Sequence, residues 1–119
     1  MNDTIVVDLD ARDKVLDWAF VLALVANETG ISVAQITAPT RVSAKASRSR
    51  QLAIYLARVC LSITLTDIGR LFGRDRATVI HACALIEDQR DDPAFDAFVT
   101  NLEAAIAEWQ RGRCRRRVA

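Results

Sequence analysis

The sequence predicts an all-α domain, a compact bundle of about five to six helices that contains a helix-turn-helix. Apolar residues, 51% of the 119, recur at helical spacing along most of the chain. Glycine or proline interrupts this spacing at Gly30, Pro39, Gly73 and Pro93. A short helical pattern, a glycine-containing turn and a longer helical pattern follow one another over residues 66–89, which is the order of a helix-turn-helix.

The length indicates one domain, which we place at residues 10–110. Residues 1–9 are expected to form a flexible arm, with a short strand over Thr4 to Val7 as the alternative. Residues 111–119 are expected to be a disordered tail, and their five arginines could add nonspecific contacts to phosphates. A solvated tail without a partner is the other reading of that stretch.

The composition argues against several classes of protein. The longest apolar run, Trp18 to Ala26, is nine residues, whereas a membrane helix needs about 20. The N-terminus lacks the pattern of a signal peptide, so we expect a cytoplasmic, nucleoid-associated protein with no membrane partner. With one histidine and no Cys-x-x-Cys pair, no metal site and no cofactor are expected. Cys60 and Cys83 are expected to be reduced thiols in the core.

The first helix is expected from about Asp10 to Thr29, where Gly30 ends it. Its apolar residues spread nearly all round, which is typical of a helix that is buried or that meets a partner. The core stripe is expected to consist of Val15, Trp18, Leu22 and Val25. A homodimer or a protein partner bound through the apolar helix 13–28 therefore stays open as an alternative to burial.

Two further helices are expected before the motif. Residues 31–36 predict a short helix with Ser32 as its N-cap. An exposed basic loop is expected from Thr40 to Ser49, and then a helix from Arg50 to Cys60. The core side of that helix is expected to consist of Leu52, Tyr55, Leu56 and Val59.

The motif itself is expected to consist of a helix from Thr66 to Phe72, capped by Thr64 or Thr66, and a second helix from Arg76 to about Gln89. At 100° per residue, the second helix turns one face to the core and the opposite face outward. The core face comprises Val79, Cys83 and Ile86, and the outward face comprises Ala77, His81 and Ala84. A closing helix is expected from the Asp92 cap and Pro93 to about Gln110, with Phe95, Phe98, Leu102, Ile106 and Trp109 on its core face.

Positive charge is concentrated where the motif lies. Residues 41–76 carry a net charge of +6, whereas residues 1–40 and 77–110 carry −4 and −6. A basic block that coincides with a helix-turn-helix is typical of DNA binding, although a solvated basic loop would look the same. In such motifs the second helix enters the major groove, where an arginine such as Arg76 can pair with guanine and the methyl of Ala77 can touch thymine. His81 is a further candidate contact.

The stretch SRSRQLAIYLARVCLSITLTDIGRLFGRDRATVIHACALIE, Ser47 to Glu87, resembles the C-terminal DNA-binding domain of the bacterial replication initiator DnaA. The resemblance rests on Arg50-Gln51, YLAR, LTDIG, FGRD and TVIHA, and covers roughly two thirds of the chain. It implies a helical domain that binds double-stranded DNA, with Arg48 in the minor groove. It also implies DNA contacts for Leu65, Thr66, Asp75, Arg76, Ala77, Thr78 and Ala82. We further expect Arg50 and Arg74, with Thr78, to hold phosphates, and Gln51 to be part of the DNA-binding surface.

Three departures from the family pattern are visible. The family has Gly-Gly-Arg-Asp-His followed by a hydroxyl residue, whereas this chain has one glycine, and Arg76 and Ala77 replace the histidine and the hydroxyl. Ala84 and Leu85 replace basic residues of the second helix. The nucleotide-binding domain of the family does not precede this stretch, so we expect a stand-alone protein without ATP-driven assembly.

The leading hypothesis is a DnaA-like regulator of replication or transcription that binds a specific DNA sequence. The alternative is a protein-interaction module that kept the fold and lost tight DNA binding, which the acidic residues 77–110 and the apolar first helix favour. An enzyme is not expected, because no phosphate-binding loop is present and no nucleophile and base can be assembled around one histidine.

Overall fold

The structure is a computed structural model that describes the backbone of residues 2–39 and 43–118 and the side chains of residues 13–39 and 43–113. Within this part of the chain there are six helices and no strand. The helices are α1 (Asn2–Thr29), α2 (Val33–Ile36), α3 (Ala44–Leu61), α4 (Leu65–Phe72), α5 (Arg76–Gln89) and α6 (Pro93–Val118). The predicted all-α fold, with a helix-turn-helix formed by α4 and α5, is therefore confirmed.

The central element is α3, which packs against each of the other five helices. Its six consecutive residues from Leu52 to Ala57 are all buried. A helix can be buried all round only if some of its side chains are small, and Ala53 and Ala57 let neighbouring helices approach closely. Because α5 contacts α3 more extensively than it contacts any other helix, α3 fixes the orientation of the second motif helix.

Two residues that the apolar pattern assigned to the core are exposed. Val25 and Val21, in the second half of α1, are fully buried. Val15 is ten residues before Val25 and therefore lies about 80° away from it around the helix axis, so Val15 is 66% exposed. Val59 is 45% exposed, and Ile63 is buried instead after the chain turns through the left-handed Ser62 (φ 56°).

The predicted basic loop is wrong for residues 44–49, which form the first turns of α3. The side chain of Ser43 caps this helix by accepting a hydrogen bond from the backbone N–H of Ala46. Ala46 is buried, so the first turn is also held by packing. Residues 40–42 of the predicted loop lie outside the described residues.

The first and last helices are longer than expected. α1 begins at Asn2, so the strand considered for Thr4 to Val7 is wrong, and α6 continues to Val118 through the stretch that was expected to be a disordered tail. A buried polar cluster between the two helices explains how α6 is held beyond its predicted end. The carboxylate of Asp17, 5% exposed, accepts hydrogen bonds from Trp109 Nε1 at 2.8 Å and from Arg113 at 2.9 and 3.0 Å.

Two tryptophans mark separate helix contacts. The ring of Trp18 meets the ring of Phe72 edge-on at 5.1 Å, which joins α1 to the end of α4. The ring of Trp109 stacks on Phe20 at 4.7 Å, which joins α6 to α1. The geometry of both pairs is favourable for aromatic rings.

A second polar cluster holds the end of α5. Arg90 donates hydrogen bonds to Asp96 at 2.6 Å, to Glu103 at 3.1 Å and to the hydroxyl of Tyr55 at 3.1 Å. That hydroxyl in turn donates to Glu87 at 2.9 Å. Helices α3, α5 and α6 are thereby linked through one guanidinium group. The hydrogen bonds to the two carboxylates favour the charged form and raise the pKa of Arg90.

Candidate nucleic-acid interface

The turn between α4 and α5 depends on two glycines. Gly73 ends α4 in the left-handed conformation (φ 64°), which glycine adopts without steric cost. Arg74 then donates its backbone N–H to the carbonyl of Gly69 at 2.8 Å. A Cβ atom at Gly69 would lie 2.5 Å from the Arg74 carbonyl oxygen, so that position has no room for a side chain. The chain therefore turns tightly enough for α5 to leave α4 at once.

Asp75 begins α5 as its N-cap. Its Oδ1 accepts a hydrogen bond from the backbone N–H of Thr78 at 2.8 Å, and hydrogen bonding by Thr78 lowers the pKa of the Asp75 carboxyl group. The sequence did not predict this capping role; the family resemblance implied a DNA contact for Asp75 instead. The carboxylate holds the first turn of α5, and so it positions the residues that follow.

The two faces of α5 lie as the sequence predicted. Val79 and Ile86 are fully buried and Cys83 is half-buried, whereas Ala77 and His81 are exposed on the opposite side. The exposed residues at the start of the helix are Arg76, Ala77 and Thr78. The start and the outer face of α5 are thus accessible to a partner that approaches from outside.

Ala82 does not belong to this accessible face. It is 3% exposed and is part of the core cluster, where its small size lets α5 lie close to α3. Ala82 also lines a shallow hollow between α3 and α5, so the contact that the family resemblance implied for it stays a prediction. At the start of α4, Leu65 is half-buried against the core and Thr66 is exposed.

Arg50 also has a different place from the one expected. Its side chain is 9% exposed, and its guanidinium donates to the carbonyls of Ile36 at 2.7 Å and Ala38 at 3.1 Å, with a longer bond of 3.4 Å to Gln35. Burial, and then the neighbouring charge of Arg74, lower the pKa of Arg50. The Nε and Nη2 atoms of Arg50 are thus committed to the last carbonyls of α2, which gives the residue a structural role, and its predicted phosphate contact stays a prediction.

A shallow hollow of about 110 Å³ between α3 and α5 brings several predicted site residues together. Ile54 and Ala82 make much of its surface apolar. The polar side chains that line it are those of Ser47, Arg50, Gln51, Arg74, Thr78 and His81. The guanidinium of Arg74 makes only long contacts of 3.4–3.5 Å to backbone carbonyls, so it is weakly held. The hollow therefore combines hydroxyl, amide and cationic donors of the kind that hold a phosphate oxygen.

Arg48 is exposed, but it lies on another side of α3. It borders a groove of about 410 Å³ together with Lys45 and Gln89, above the half-buried rings of Phe95 and Phe98. This groove is separate from the hollow beside Thr78. Arg48 is also part of a helix rather than of a loop, so its reach is set by the direction of the first turns of α3.

Sequence reasoning missed two residues that shape this face, Gly69 and Ile80. The need for glycine at position 69 could have been inferred only from the tight turn, because the atom that leaves no room for a Cβ there is the backbone oxygen of Arg74. Ile80 is 50% exposed on α5, although an isoleucine next to a buried valine would ordinarily be assigned to the core. The helical projection at 100° per residue contains the signal, because it places Ile80 about 100° away from Val79.

Other kinds of site find little support in the described part of the chain. No group of three or more histidine, cysteine or acidic side chains there could hold a metal ion. None of the helices, over the described residues, combines the length and the apolar character that a membrane span requires.

Comparison with known families and proteins identifies what this fold is similar to. Residues 19–86 match the family model of the bacterial DnaA protein helix-turn-helix. The chromosomal replication initiator protein DnaA of Lachnoclostridium phytofermentans is 36% identical over 84 residues, which cover 69% of this chain and 18% of that protein. DnaA of Symbiobacterium thermophilum is 39% identical over 97 residues, which cover 80% of this chain and 21% of that protein. The chain thus spans about a fifth of the length of these relatives.

Solved structures agree with these matches. A DNA replication initiation factor superposes with a TM-score of 0.75 at 30% identity, over 84% of this chain and 31% of its own. A replication initiator DnaA, bound to AMPPCP and single-stranded DNA, superposes with a TM-score of 0.69 at 29% identity, over 82% of this chain and 30% of its own.

Proposed function

Because the chain belongs to the bacterial DnaA helix-turn-helix family, we propose that it binds double-stranded DNA in a sequence-dependent manner and acts as a DnaA-like regulator of replication or transcription. The observation that most supports this function is the accessible start of α5, where Arg76, Ala77 and Thr78 are exposed directly after a capped and tightly turned N-terminus. In a helix-turn-helix this is the part of the second helix that reaches base edges.

The hollow between α3 and α5 gives the DNA backbone a place to lie. In the proposed complex Arg74 and Thr78 hold a phosphate, with Gln51 at the rim, while Arg76 reaches a base. Thr66 is exposed at the start of α4 and is proposed to touch the same backbone. Arg50 contributes indirectly, because it fixes the end of α2 beside the turn.

Arg48 is proposed to enter the neighbouring minor groove. Its exposure and its position in the first half of α3 support this contact, and the nearby Lys45 adds to the positive potential there. Minor grooves attract arginine where they are narrow, since their negative potential is then enhanced. The duplex would then lie against two separate surfaces of the domain, which limits where it can sit.

The experiment is a titration of labelled duplex DNA by fluorescence anisotropy at several salt concentrations. With Arg48, Arg74 and Arg76 near phosphates or in grooves, we expect log K to fall with log salt at a slope of about −3. Arg74→Ala should weaken all sequences alike and reduce that slope by about 1. Arg76→Ala should cost about 1–3 kcal/mol on a preferred site and flatten the preference at one position.

The matched control is Arg111→Ala, because Arg111 is an exposed arginine of α6 that pairs with Glu108 of the same helix. It removes the same charge from the protein. Because two hydrogen bonds hold the Arg111 guanidinium on Glu108, we expect it not to contact a phosphate and the slope to stay unchanged. If Arg76→Ala alters neither affinity nor preference, or if Arg111→Ala weakens binding as much as Arg74→Ala, the proposed interface is wrong.

A second candidate, a protein-interaction module, is favoured by one observation. Val15 and Leu16 on α1 are 66% and 50% exposed, and Val15 lines an apolar groove of about 270 Å³ with Trp18 and Leu71. A homodimer or a protein partner would cover such a surface. Absence of DNA binding at low salt, or an affinity that does not depend on salt, would favour this candidate.

A further inference from the structure

The outward face of α5 carries apolar side chains over the first nine residues of the helix. Seven exposed residues form one continuous arc of about 140° around the helix axis: Arg76, Ala77, Ile80, His81, Ala84, Glu87 and Asp88. Three of the seven are apolar, and they precede the two acidic residues. Ile80 is the largest of these three, and half of its surface is in contact with solvent.

The fold does not account for Ile80. The residues that fasten α5 to the rest of the domain are Val79, Ala82 and Ile86, which belong to the core cluster, whereas Ile80 does not belong to it and is half exposed. An isoleucine that is half exposed leaves apolar surface in water, and burying that surface in a complex is favourable.

The neighbours of Ile80 make it a projecting side chain. On the helix surface its neighbours along the exposed arc are Arg76 and Ala77, four and three residues before it, and Ala84, four residues after it. Both alanines carry only a methyl group. A branched side chain of four carbons between two methyl groups stands above them and would be the first apolar group to meet the floor of a groove.

An aliphatic side chain cannot exchange hydrogen bonds, so few features of DNA can be recognised by it. In the major groove the one apolar group on a base edge is the 5-methyl group of thymine, and the minor groove has none. We propose that Ile80 reads the 5-methyl group of a pyrimidine, a thymine of the target site, from within the major groove. This inference rests on the proposed function, since it requires α5 to enter that groove.

The test compares thymine with deoxyuridine, which pairs identically and lacks only the methyl group. A preferred duplex is first selected from a randomised pool by the full-length protein, and each thymine is then replaced singly by deoxyuridine. We expect one position at which the replacement weakens binding about four-fold, as the loss of one buried methyl group would produce. A 5-methylcytosine·guanine pair at that position, compared with cytosine·guanine, should recover part of the methyl effect.

The protein side of the cycle uses Ile80→Ala and a matched control. Ile80→Ala should bind the thymine and deoxyuridine duplexes equally, at about the affinity of the parent protein for deoxyuridine. Val59→Ala removes an apolar side chain that is also about half exposed, on α3, and should keep the four-fold ratio. Circular dichroism of each variant checks that the helices are intact, which we expect because both side chains are on the surface.

Two results would overturn the inference while leaving the proposed function intact. The first is that the parent protein binds every deoxyuridine duplex with the same affinity as the thymine duplex. The second is that Ile80→Ala keeps the four-fold preference for thymine over deoxyuridine. In both cases DNA binding must still depend on salt. If the parent protein binds no duplex at low salt, or selects no preferred sequence, the inference fails as well. Loss of all duplex binding also refutes the proposed function.

Discussion

Replacing Arg50 by methionine separates a structural role of this residue from a role in DNA contact. Methionine keeps much of the aliphatic stem and removes the donors that hold the carbonyls of Ile36 at 2.7 Å and Ala38 at 3.1 Å. Hydrogen bonds from a charged donor contribute about 1.5–3 kcal/mol each. Because these carbonyls can in part be rehydrated at the end of α2, we expect the free energy of unfolding to fall by about 3 kcal/mol.

Two further variants sharpen this comparison. Arg50→Lys keeps the charge but lacks the planar fork that reaches several carbonyls at once, so we expect a loss of about 2 kcal/mol. Arg48→Met changes an exposed arginine on the same helix and should alter the free energy of unfolding by less than about 0.5 kcal/mol.

The assay is urea unfolding followed by the helical signal in circular dichroism. With a dependence on urea of about 1–3 kcal/mol per molar, the Arg50→Met midpoint should fall by roughly 1–3 M. A midpoint unchanged from that of the parent protein, together with weaker binding to every duplex, would refute the structural assignment of Arg50. It would instead favour the phosphate contact that the sequence hypothesis assigned to Arg50.

Three other predictions concern stability. Asp17→Ala removes the buried acceptor between α1 and α6 and should cost about 3–5 kcal/mol in urea unfolding, whereas Asp91→Ala at an exposed turn should cost almost nothing. Gly69→Ala should cost about 1–3 kcal/mol, because its Cβ has no room beside the turn; an unchanged midpoint would contradict that close approach. Burial raises the pKa of the Cys60 thiol to about 11, from an ordinary value of 9.0, and it also raises the pKa of Tyr55. Both groups therefore ionise more readily in the unfolded chain, and the free energy of unfolding should fall as the pH rises from about 9 towards 11. The fall should be smaller in Cys60→Ala, which lacks the thiol.

The helices and the motif could be predicted because their signals are local. Apolar periodicity, the Ser32 cap, the turn at Gly73 and the Pro93 start all act within a few residues of where they occur, and the structure has each of them. The outward orientation of Ala77 followed from the same periodicity. Such signals do not depend on which distant element packs against them.

Burial and hydrogen-bond partners could not be predicted where distant contacts determine them. Nothing near Arg50 in the sequence reveals that its partners are carbonyls 12–15 residues earlier, and nothing near Asp17 reveals donors more than 90 residues later. Ala82 was assigned to DNA by resemblance, although the close approach of α5 to α3 buries it. Val15 was assigned to the core by a stripe that turns away from α3 along the helix.

The placement of the two indoles gives the molecule two built-in spectroscopic probes. Trp18 reports on the junction of α1 with the motif through Phe72, and Trp109 reports on the junction of α1 with α6 through Phe20. Replacing either one by phenylalanine would leave a single emitter whose spectrum describes only its own junction. If DNA shifted the emission of Trp18 and not that of Trp109, the contact between α1 and α4 would change on binding while the contact between α1 and α6 stayed the same.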